Sequence, residues 1–373
     1  RKPEQSLLIN EGNQGCRSTS FLLPFGPNRR PPTLTANKGI VFSGINPNGE
    51  GFVLSSGEAD EIHLMSPNDS AFIFPYLSSV DLNGDPRSAP TRSIIDVGGL
   101  DETELQQHPQ LYNRLFASVR VERRKSSEKR LREEWWRFSR PASKLYSRIG
   151  RFREVLAMGR LATHHTFAFQ SSGVKFSDAL SVFLSETCSF FSVVQSSSHE
   201  LWAKFIGSAF KDDPRYIPED CFETFPFPDG FEASPTLEAA GKAYYDHRAA
   251  LMVARNEGMT KTYNRFHDAQ ERCQNIIRLR ELHAEMDRAV LRAYGWNDLA
   301  ERAAPVFLDE TNEDDHPYQG RLFWPSDFRD EVLARLLALN AERHAEEVRL
   351  GVAPGMKGKV EEDDGGVEEE DGD

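Results

Sequence analysis

Hydrophobic residues between positions 38 and 100 come in short runs that turn-forming residues separate. Residues 39–55, GIVFSGINPNGEGFVLS, place two apolar runs on either side of Asn46-Pro47-Asn48-Gly49. Asn-Pro and Asn-Gly pairs favour turns, and short apolar runs of this kind are typical of strands. The pattern predicts a hairpin here. The runs AFIFPYL (71–77) and SIIDVGG (93–99) predict further strands.

Between residues 103 and 159 the apolar spacing becomes that of helices. Leu105, Leu111, Leu115 and Phe116 follow a helical period, and no glycine occurs in this segment before Gly150. Long helices are therefore predicted. After residue 162 short apolar runs return, and they predict more strands in the same core: Phe167, Phe169, Val182, Phe183, Phe190, Phe191, Val193 and Val194.

The segment 215–228, RYIPEDCFETFPFP, is expected to be an extended apolar strap that ends one domain. Proline fixes φ, removes a backbone donor and forces the preceding residue into the extended region. The strap phenylalanines are predicted to be buried. Beyond residue 234 helix formers dominate, and residues 281–296 predict an amphipathic helix that Gly295 ends. A second helix is predicted over residues 329–351.

Together these patterns predict a mixed α+β chain with a β-rich first part and a smaller helical second part. Hydrophobic residues make up 39% of the 373 residues and aromatic residues 10%, which is typical of a folded protein. No apolar run approaches the roughly 20 residues that cross a bilayer, and the first ten residues lack a signal-peptide core. A cytoplasmic protein without a membrane partner is the expectation.

The four cysteines, Cys16, Cys188, Cys221 and Cys273, form no CxxC pair. Neither a zinc site nor a disulfide framework is therefore predicted, and the thiols are expected to be reduced. His164-His165 and the serines of residues 196–198 have more ordinary explanations than a metal site or a nucleophile. Adjacent positions point to opposite sides of a strand, and the serines lack a Gly-X-Ser-X-Gly elbow.

The net charge of −13 is unevenly distributed. The tail 361–373 holds nine acidic residues and no base, and the rest of the chain carries only −4. Residues 113–155 contain 14 Lys or Arg against five Glu, a local charge of +9. Such a block suits a surface that binds phosphates. A solvated helix face that only aids solubility is an equally good explanation of the charge alone.

Several separated motifs resemble one family in order along the chain. They are GFVLSSGEA (51–59), FPYLSSVDLN (74–83), SIIDVGG (93–99), WWRFSRP (135–141), QSSSHELW (195–202), the strap, TKTYNRFHD (260–268) and LRELHAEMDRAVLRAYGW (279–296). Together they resemble the target recognition domain and C-terminal helical domain of MmeI-like adenine-specific DNA methyltransferases of the fused restriction-modification or phage-defence type. One departure is Ser78-Ser79-Val80, where relatives tend to carry Asn-Gly and a charged residue.

The resemblance implies a division of the chain. Residues 1–37 would be a linker from an upstream catalytic domain, 38–230 the DNA target recognition domain, 231–355 a helical domain and 356–373 a disordered acidic tail. The sequence has no Asn- or Asp-Pro-Pro-aromatic loop to hold a flipped adenine and no Gly-rich methyl-donor turn. No cofactor is therefore expected in this chain, and S-adenosylmethionine is implied for the catalytic domain, which would be its partner in cis or trans.

Duplex DNA is the predicted partner, and the predicted contacts are basic side chains. Arginine pairs bidentately with guanine or phosphate, although most of these residues would touch phosphate. The set is Arg120, Arg123, Arg124, Lys125, Lys129, Arg130, Arg137, Arg140, Lys204, Lys211, Arg215, Lys261 and Arg265. Lys204, Lys211 and Arg215 fall where, by resemblance, family members carry residues that determine specificity. Arg215 is expected to face the DNA.

Two alternatives remain open at this stage. Trp135 and Trp136 either stack on DNA or pack in the core, and TKTYNRFHD is either a phosphate clamp or a structural corner. The alternative to DNA recognition is a protein-interaction scaffold, in which the strap and helices bind a partner subunit without reading DNA.

Overall fold

Ten short strands supply the β structure of the residues that the structure describes. The computed structural model describes residues 30–210 and 215–355, so predictions for residues 1–29, for Lys211 and for the tail 356–373 lie outside the described residues. The strands are β1 Val41–Ser43, β2 Val53–Ser55, β3 Ile73–Leu77, β4 Arg92–Ile95, β5 Glu154–Gly159, β6 Phe167–Ser171, β7 Lys175–Phe176, β8 Leu180–Phe183, β9 Val306–Leu308 and β10 Arg321–Phe323.

Helices outweigh strands in the described part of the chain. They are α1 Ser56–Met65, α2 Ser79–Gly84, α3 Glu102–Leu105, α4 Pro109–Ala117, α5 Val119–Arg123, α6 Lys129–Glu133, α7 Ser143–Ile149, α8 Cys188–Gln195, α9 Ser197–Phe210, α10 Pro218–Cys221, α11 Pro235–Arg255, α12 Met259–His267, α13 Gln274–Ala293, α14 Asn297–Arg302 and α15 Ser326–Leu350. The mixed α+β class predicted from the sequence is confirmed.

The strands form two four-stranded sheets and one hairpin. The first sheet has the order β1-β8-β5-β6 and is antiparallel throughout. The second has the order β2-β4-β3-β7, in which only β3 and β7 run parallel. The hairpin of β9 and β10 lies between residues 306 and 323.

The predicted hairpin over residues 39–55 is wrong. Its two apolar runs become β1 and β2, which pair with β8 and β4 in different sheets. The turn itself exists, because Asn48 adopts a left-handed conformation at φ 49°. That conformation is one that asparagine tolerates better than most residues. Local sequence therefore determines the bend. The pairing partner of β2 lies about 40 residues further along the chain and that of β1 about 140 residues further.

The long helices predicted between residues 103 and 159 are also wrong. This segment forms five helices, α3 to α7, of four to nine residues each, and then β5. Ser118 separates α4 from α5, and its hydroxyl donates a hydrogen bond to the carbonyl of Arg114. Serine competes for backbone groups in this way and disfavours helix interiors.

Residues 190–194 form a helix where strands were predicted. In α8 every residue from Ser189 to Gln195 is buried, because the helix lies among β6, α9, α11 and α13. A helix that is covered on all sides has no polar face and hence no helical period in its sequence. A short apolar run then cannot be distinguished from a strand.

The strap is confirmed as a buried apolar segment, although α10 interrupts its extended course. Phe222 and Phe225 are fully buried and Phe227 nearly so. The side-chain amide of Asn37 donates to the carbonyls of Phe222, Glu223 and Phe225. These bonds satisfy backbone groups that have no partner in a sheet or helix.

Two hydrophobic cores hold the molecule together. The larger runs from Val41 to Leu337 and includes the strap, so it extends across the predicted domain boundary at residue 230. The smaller covers the second sheet and contains Trp135 and Trp136, which places both indoles in the core and away from DNA. The helices predicted over residues 281–296 and 329–351 are confirmed as α13 and α15.

We expect Gly241→Ala to destabilise the protein by about 1–3 kcal/mol, because overpacking a tight contact forces the backbone to shift. A Cβ at Gly241 in α11 would lie 2.2 Å from the carbonyl oxygen of Cys188 in α8. The matched control is Gly57→Ala in α1, where a Cβ would meet nothing within 4 Å. That change should stabilise by about 0.5–1 kcal/mol through helix propensity. Urea unfolding of both variants measures the difference, and equal effects would contradict the packing argument.

Candidate nucleic-acid interface

The basic segment 113–155 uses many of its arginines to hold its own backbone. Arg123 is 3% exposed, and its guanidinium donates to the carbonyls of Pro47, Asn48, Trp135 and Arg137. A charge in this position stabilises a loop that has few sheet or helix bonds. The prediction that Arg123 contacts DNA is therefore corrected, because its side chain is not at the surface.

Four other arginines of this segment also contact groups within the protein. Arg130 donates to the carbonyl of Ser139. Arg120 lies 4.3 Å from the ring centroid of Phe116, and Arg137 lies 5.9 Å from that of Trp136. Arg140 pairs with Asp178 at 3.1 Å. These four side chains remain at least partly exposed, so DNA contact stays a prediction for each of them.

Three cations of the segment project from the surface around the α5–α6 connection. Arg124, Lys125 and Lys129 are exposed, and Lys129 makes only a long i,i+4 contact of 3.8 Å with Glu133. Such pairs contribute little. Among the predicted contacts in the basic segment, these three are the most available to a phosphate backbone.

A second group of cations lines a cleft beside the end of β5. Arg160, Lys204 and Arg215 border a cavity of about 300 Å³, together with His164 and Tyr216. Lys204 and Arg215 were predicted from the sequence, whereas Arg160 was missed because it stands alone between apolar residues. The structure brings these three together from positions up to 55 residues apart.

Backbone hydrogen bonds fix the walls of this cleft. The amide of Arg160 donates to the carbonyl of Ala179, and its own carbonyl accepts from the amide of Tyr216. Arg160 therefore joins the first sheet to the start of the strap. The Nε of Arg160 is buried without a hydrogen-bond partner among the described residues. Its guanidinium also donates to the Ser43 hydroxyl at 3.4 Å.

A buried carboxylate lies at the base of the cleft. Glu200 of α9 accepts a hydrogen bond from Arg321 at 2.7 Å and lies 3.8 Å from Lys204. Burial alone would raise the pKa of Glu200, but the charges of Arg321 and Lys204 outweigh it and lower the pKa to about 2. The carboxylate is therefore ionised at neutral pH.

Lys204 is a cation whose pKa lies only slightly above neutral pH. Its ammonium donates to the carbonyl of Pro317 at 2.9 Å and lies 4.9 Å from the ring centroid of Tyr318. Burial lowers the pKa of Lys204 to about 8, although Glu200 opposes that shift. Its charge is therefore largely retained at pH 7 and lost on moderate alkalinisation.

Two histidines near the cleft, His165 and His199, take structural positions. His165 lies 3.0 Å from the carbonyl oxygen of Val194 and 3.1 Å from the ring of His199, and burial lowers its pKa to about 4. His199 is fully buried. The Ser197 hydroxyl is also buried and donates to Asp287 at 2.6 Å, so it is not presented as a nucleophile.

The segment TKTYNRFHD forms helix α12, and its basic residues differ in availability. Lys261 is exposed. Arg265 pairs with Glu271 at 2.7 Å and with Glu257 at 3.1 Å, so it already has two carboxylate partners. The structure favours the structural corner for Arg265 and leaves Lys261 as the predicted DNA contact of this helix.

No group of three or more His, Cys, Asp or Glu residues within 30–210 and 215–355 has the arrangement of a metal site. In the same ranges, no helix is both long enough and apolar enough to cross a bilayer. Cys188, Cys221 and Cys273 are free thiols.

Comparisons with known proteins agree on one family. The family model described as "MmeI, target recognition domain" matches residues 29–229. A solved structure of the type IIL restriction-modification enzyme MmeI in complex with DNA matches with a TM-score of 0.55 and 16% sequence identity. The match covers 82% of this chain but 36% of that one, so the chain corresponds to about a third of that enzyme. No curated protein matches the sequence.

We expect Glu200→Gln to destabilise the protein by about 3 kcal/mol at pH 7, because it leaves Arg321 and Lys204 without their buried carboxylate. The pKa of Glu200 is about 2 in the folded protein, against 4.5 ordinarily. Its contribution is complete above pH 4.5 and is lost as the pH falls towards 2. The stability gap between wild type and variant should therefore close over that range.

Urea unfolding at several pH values measures this gap. The control is Glu281→Gln, which removes an exposed partner of Arg278 on α13 and should change stability by less than about 0.5 kcal/mol. A gap that stays constant down to pH 2 would show that Glu200 is not an ionised partner of the two cations.

Proposed function

The chain belongs to the MmeI target recognition domain family, which its residues 29–229 match, and we propose that it reads the sequence of duplex DNA for a methyltransferase. The family match carries this conclusion. The cleft supports it, since Arg160, Lys204 and Arg215 converge there on one cavity. Arginine and lysine are the side chains that neutralise phosphates and, in the major groove, pair with guanine.

The proposal assigns two tasks to two sets of cations. Arg124, Lys125 and Lys129 are exposed at the α5–α6 connection and the start of α6 and would hold the DNA backbone, which carries affinity but no sequence information. The cleft cations lie beside hydrogen-bonding side chains and would approach base edges, as would Lys261, which follows Thr260 in the sequence. Rigid placement supports base reading, and the backbone bonds of Arg160 provide it.

Methyl transfer itself is assigned to another domain. The sequence has no methyl-donor turn and no Pro-Pro-aromatic loop, so a catalytic domain in cis or trans would bind S-adenosylmethionine and methylate an adenine in the recognised site. We place this activity in restriction-modification or phage defence in the cytoplasm. In this proposal the chain positions the target adenine and has no activity alone.

The first test compares three charge variants of the 373-residue chain by fluorescence anisotropy on duplex DNA. Arg160→Gln with Arg215→Gln alters the cleft, and Arg124→Glu, Lys125→Glu and Lys129→Glu alter the basic segment. Arg278→Gln with Lys242→Gln is the control on α13 and α11. Each lost phosphate contact should lower the salt dependence, the slope of log K against log salt, by about 0.9.

The two altered surfaces should differ in selectivity. The segment variant should weaken binding to all sequences alike, whereas the cleft variant should also lose about 1–3 kcal/mol of discrimination at one or more base pairs. Selection from a random-sequence duplex library measures this preference. A chain that shows neither salt-dependent binding nor any enriched site would overturn the proposal and favour the scaffold alternative.

The second test uses the pKa of Lys204, which burial lowers to about 8. As the pH rises from 7 to 9 the ammonium loses its proton, so the affinity for DNA should fall by severalfold. Lys204→Arg keeps the charge throughout this range and should abolish the dependence, provided that thermal unfolding shows the variant to be folded. An unchanged pH profile in Lys204→Arg would remove Lys204 from the interface.

A further inference from the structure

A second cavity opens beside the cationic cleft and has a different lining. It encloses about 220 Å³ between α2 and the loop that follows β5, and it shares Ala162, Thr163 and His164 with the cleft. Its other polar residues are short hydrogen-bonding side chains. They are Ser79, Asn83, Thr166 and Thr260.

Two aliphatic side chains stand at this cavity with most of their surface in solvent. Val80 is 79% exposed and Leu161 is 59% exposed, and both belong to the cavity lining. Val80 belongs to α2 and Leu161 to the loop after β5, and these two elements form the cavity. An exposed aliphatic group gains free energy when a ligand covers it. A ligand with apolar faces would be covered by both.

His164 belongs to the wall shared by both cavities, and its ring has a buried nitrogen without a hydrogen-bond partner among the described residues. The side chain is 8% exposed, and its Nε2 lies 2.8 Å from Oδ1 of Asn264. Because an amide oxygen only accepts, Nε2 carries the proton and Nδ1 is an acceptor. Nδ1 has no partner among the described residues. Burial also lowers the pKa of His164, which keeps the ring neutral.

The cavity is formed before any ligand arrives, because α2 is held at both ends. A Cβ at Gly159, the last residue of β5, would lie 2.7 Å from the Ser79 hydroxyl at the start of α2. A Cβ at Gly258, before α12, would lie 2.4 Å from the backbone of Gly84 at its end. Such close approaches require glycine and leave α2 little freedom to move.

We propose that this cavity binds one unpaired nucleobase that is turned out of the DNA duplex. The inference rests on the proposed function and adds a ligand and a site to it. Proteins hold an extrahelical base by contacting its faces with apolar side chains and its edge with hydrogen-bonding groups. Val80 and Leu161 would contact the faces of the base. His164, Asn83 and the hydroxyl side chains of the cavity would form hydrogen bonds with its edge.

Charge complementarity identifies the ligand as part of a nucleic acid. Arg160, Lys204 and Arg215 line the adjoining cleft, and Lys261 is the next residue in the sequence after Thr260, which lines the cavity. A base that enters the cavity carries its phosphates with it, and these cations lie where the flanking phosphates would pass.

The test measures affinity for two duplexes of the same sequence, one fully paired and one with a single bulged 2-aminopurine. A bulged base needs no unpairing, which spares a few kcal/mol. The wild-type chain should therefore bind the bulged duplex at least about tenfold more tightly. The fluorescence of 2-aminopurine should rise on binding, because the base leaves the stack.

The test variant is Val80→Ser with Leu161→Ser. Both positions are at the surface, so folding should persist, and paired-duplex affinity should stay within about twofold while the bulge preference and the fluorescence rise are lost. The control is Leu64→Ser with Met65→Ser, which removes two exposed apolar side chains of α1 and should leave both signals intact. His164→Phe, with its folding checked, should reduce the bulge preference.

The outcomes separate this inference from the proposed function. Equal affinity of the wild-type chain for the two duplexes would overturn the base site while DNA reading stands. Bulge preference that survives in Val80→Ser with Leu161→Ser would place the unpaired base elsewhere and also overturn it. Absence of binding to either duplex would overturn the proposed function and the base site together.

Discussion

The ion pair between Glu200 and Arg321 ties three parts of the fold together at the base of the cleft. Glu200 belongs to α9 and Arg321 to β10, and the ring of His267 at the end of α12 lies 3.2 Å from Arg321 and accepts from the amide of Leu322. A buried pair of this kind costs more to break than it contributes to forming the fold. Its main effect is to fix where these elements meet.

The position of the cleft follows from that junction. Lys204 lies one turn along α9 from Glu200, and its ammonium reaches the carbonyl of Pro317 in the connection that leads into β10. The same carboxylate therefore attracts a cation into the cleft and limits the charge that the cleft presents. Lys204 thereby lines the cleft together with Arg160 and Arg215.

Arginine has two physical roles in this chain, and sequence alone does not separate them. Arg123 and Arg124 are neighbours in one basic run, yet the first is buried under four carbonyls while the second is exposed. The difference arises because α5 points one of them towards the turn at Asn48, which comes from 75 residues earlier. Only tertiary packing brings those carbonyls to Arg123.

The hydrophobic pattern of the sequence predicted a helix correctly where that helix has one polar face in solvent. It failed where a helix has no such face. Helices α13 and α15 have a polar face in solvent and were predicted correctly from their apolar period. Helix α8 has none, and β1 and β2 pair with distant strands that no local signal identifies. Of the cleft residues, Lys204 and Arg215 were found through the family resemblance. Arg160 was missed because an isolated arginine gives no pattern.

The same reasoning explains why the second cavity was invisible in the sequence. Val80 and Leu161 are 81 residues apart, and their shared feature, exposure beside a polar cavity, exists only after Gly159 packs against Ser79. Cations alone bind any duplex, because phosphates are the same at every step. A neighbouring site that accepts a base only out of the stack adds a dependence on how easily that step unpairs. Sequence selection could thus draw on deformability as well as on contacts to base edges.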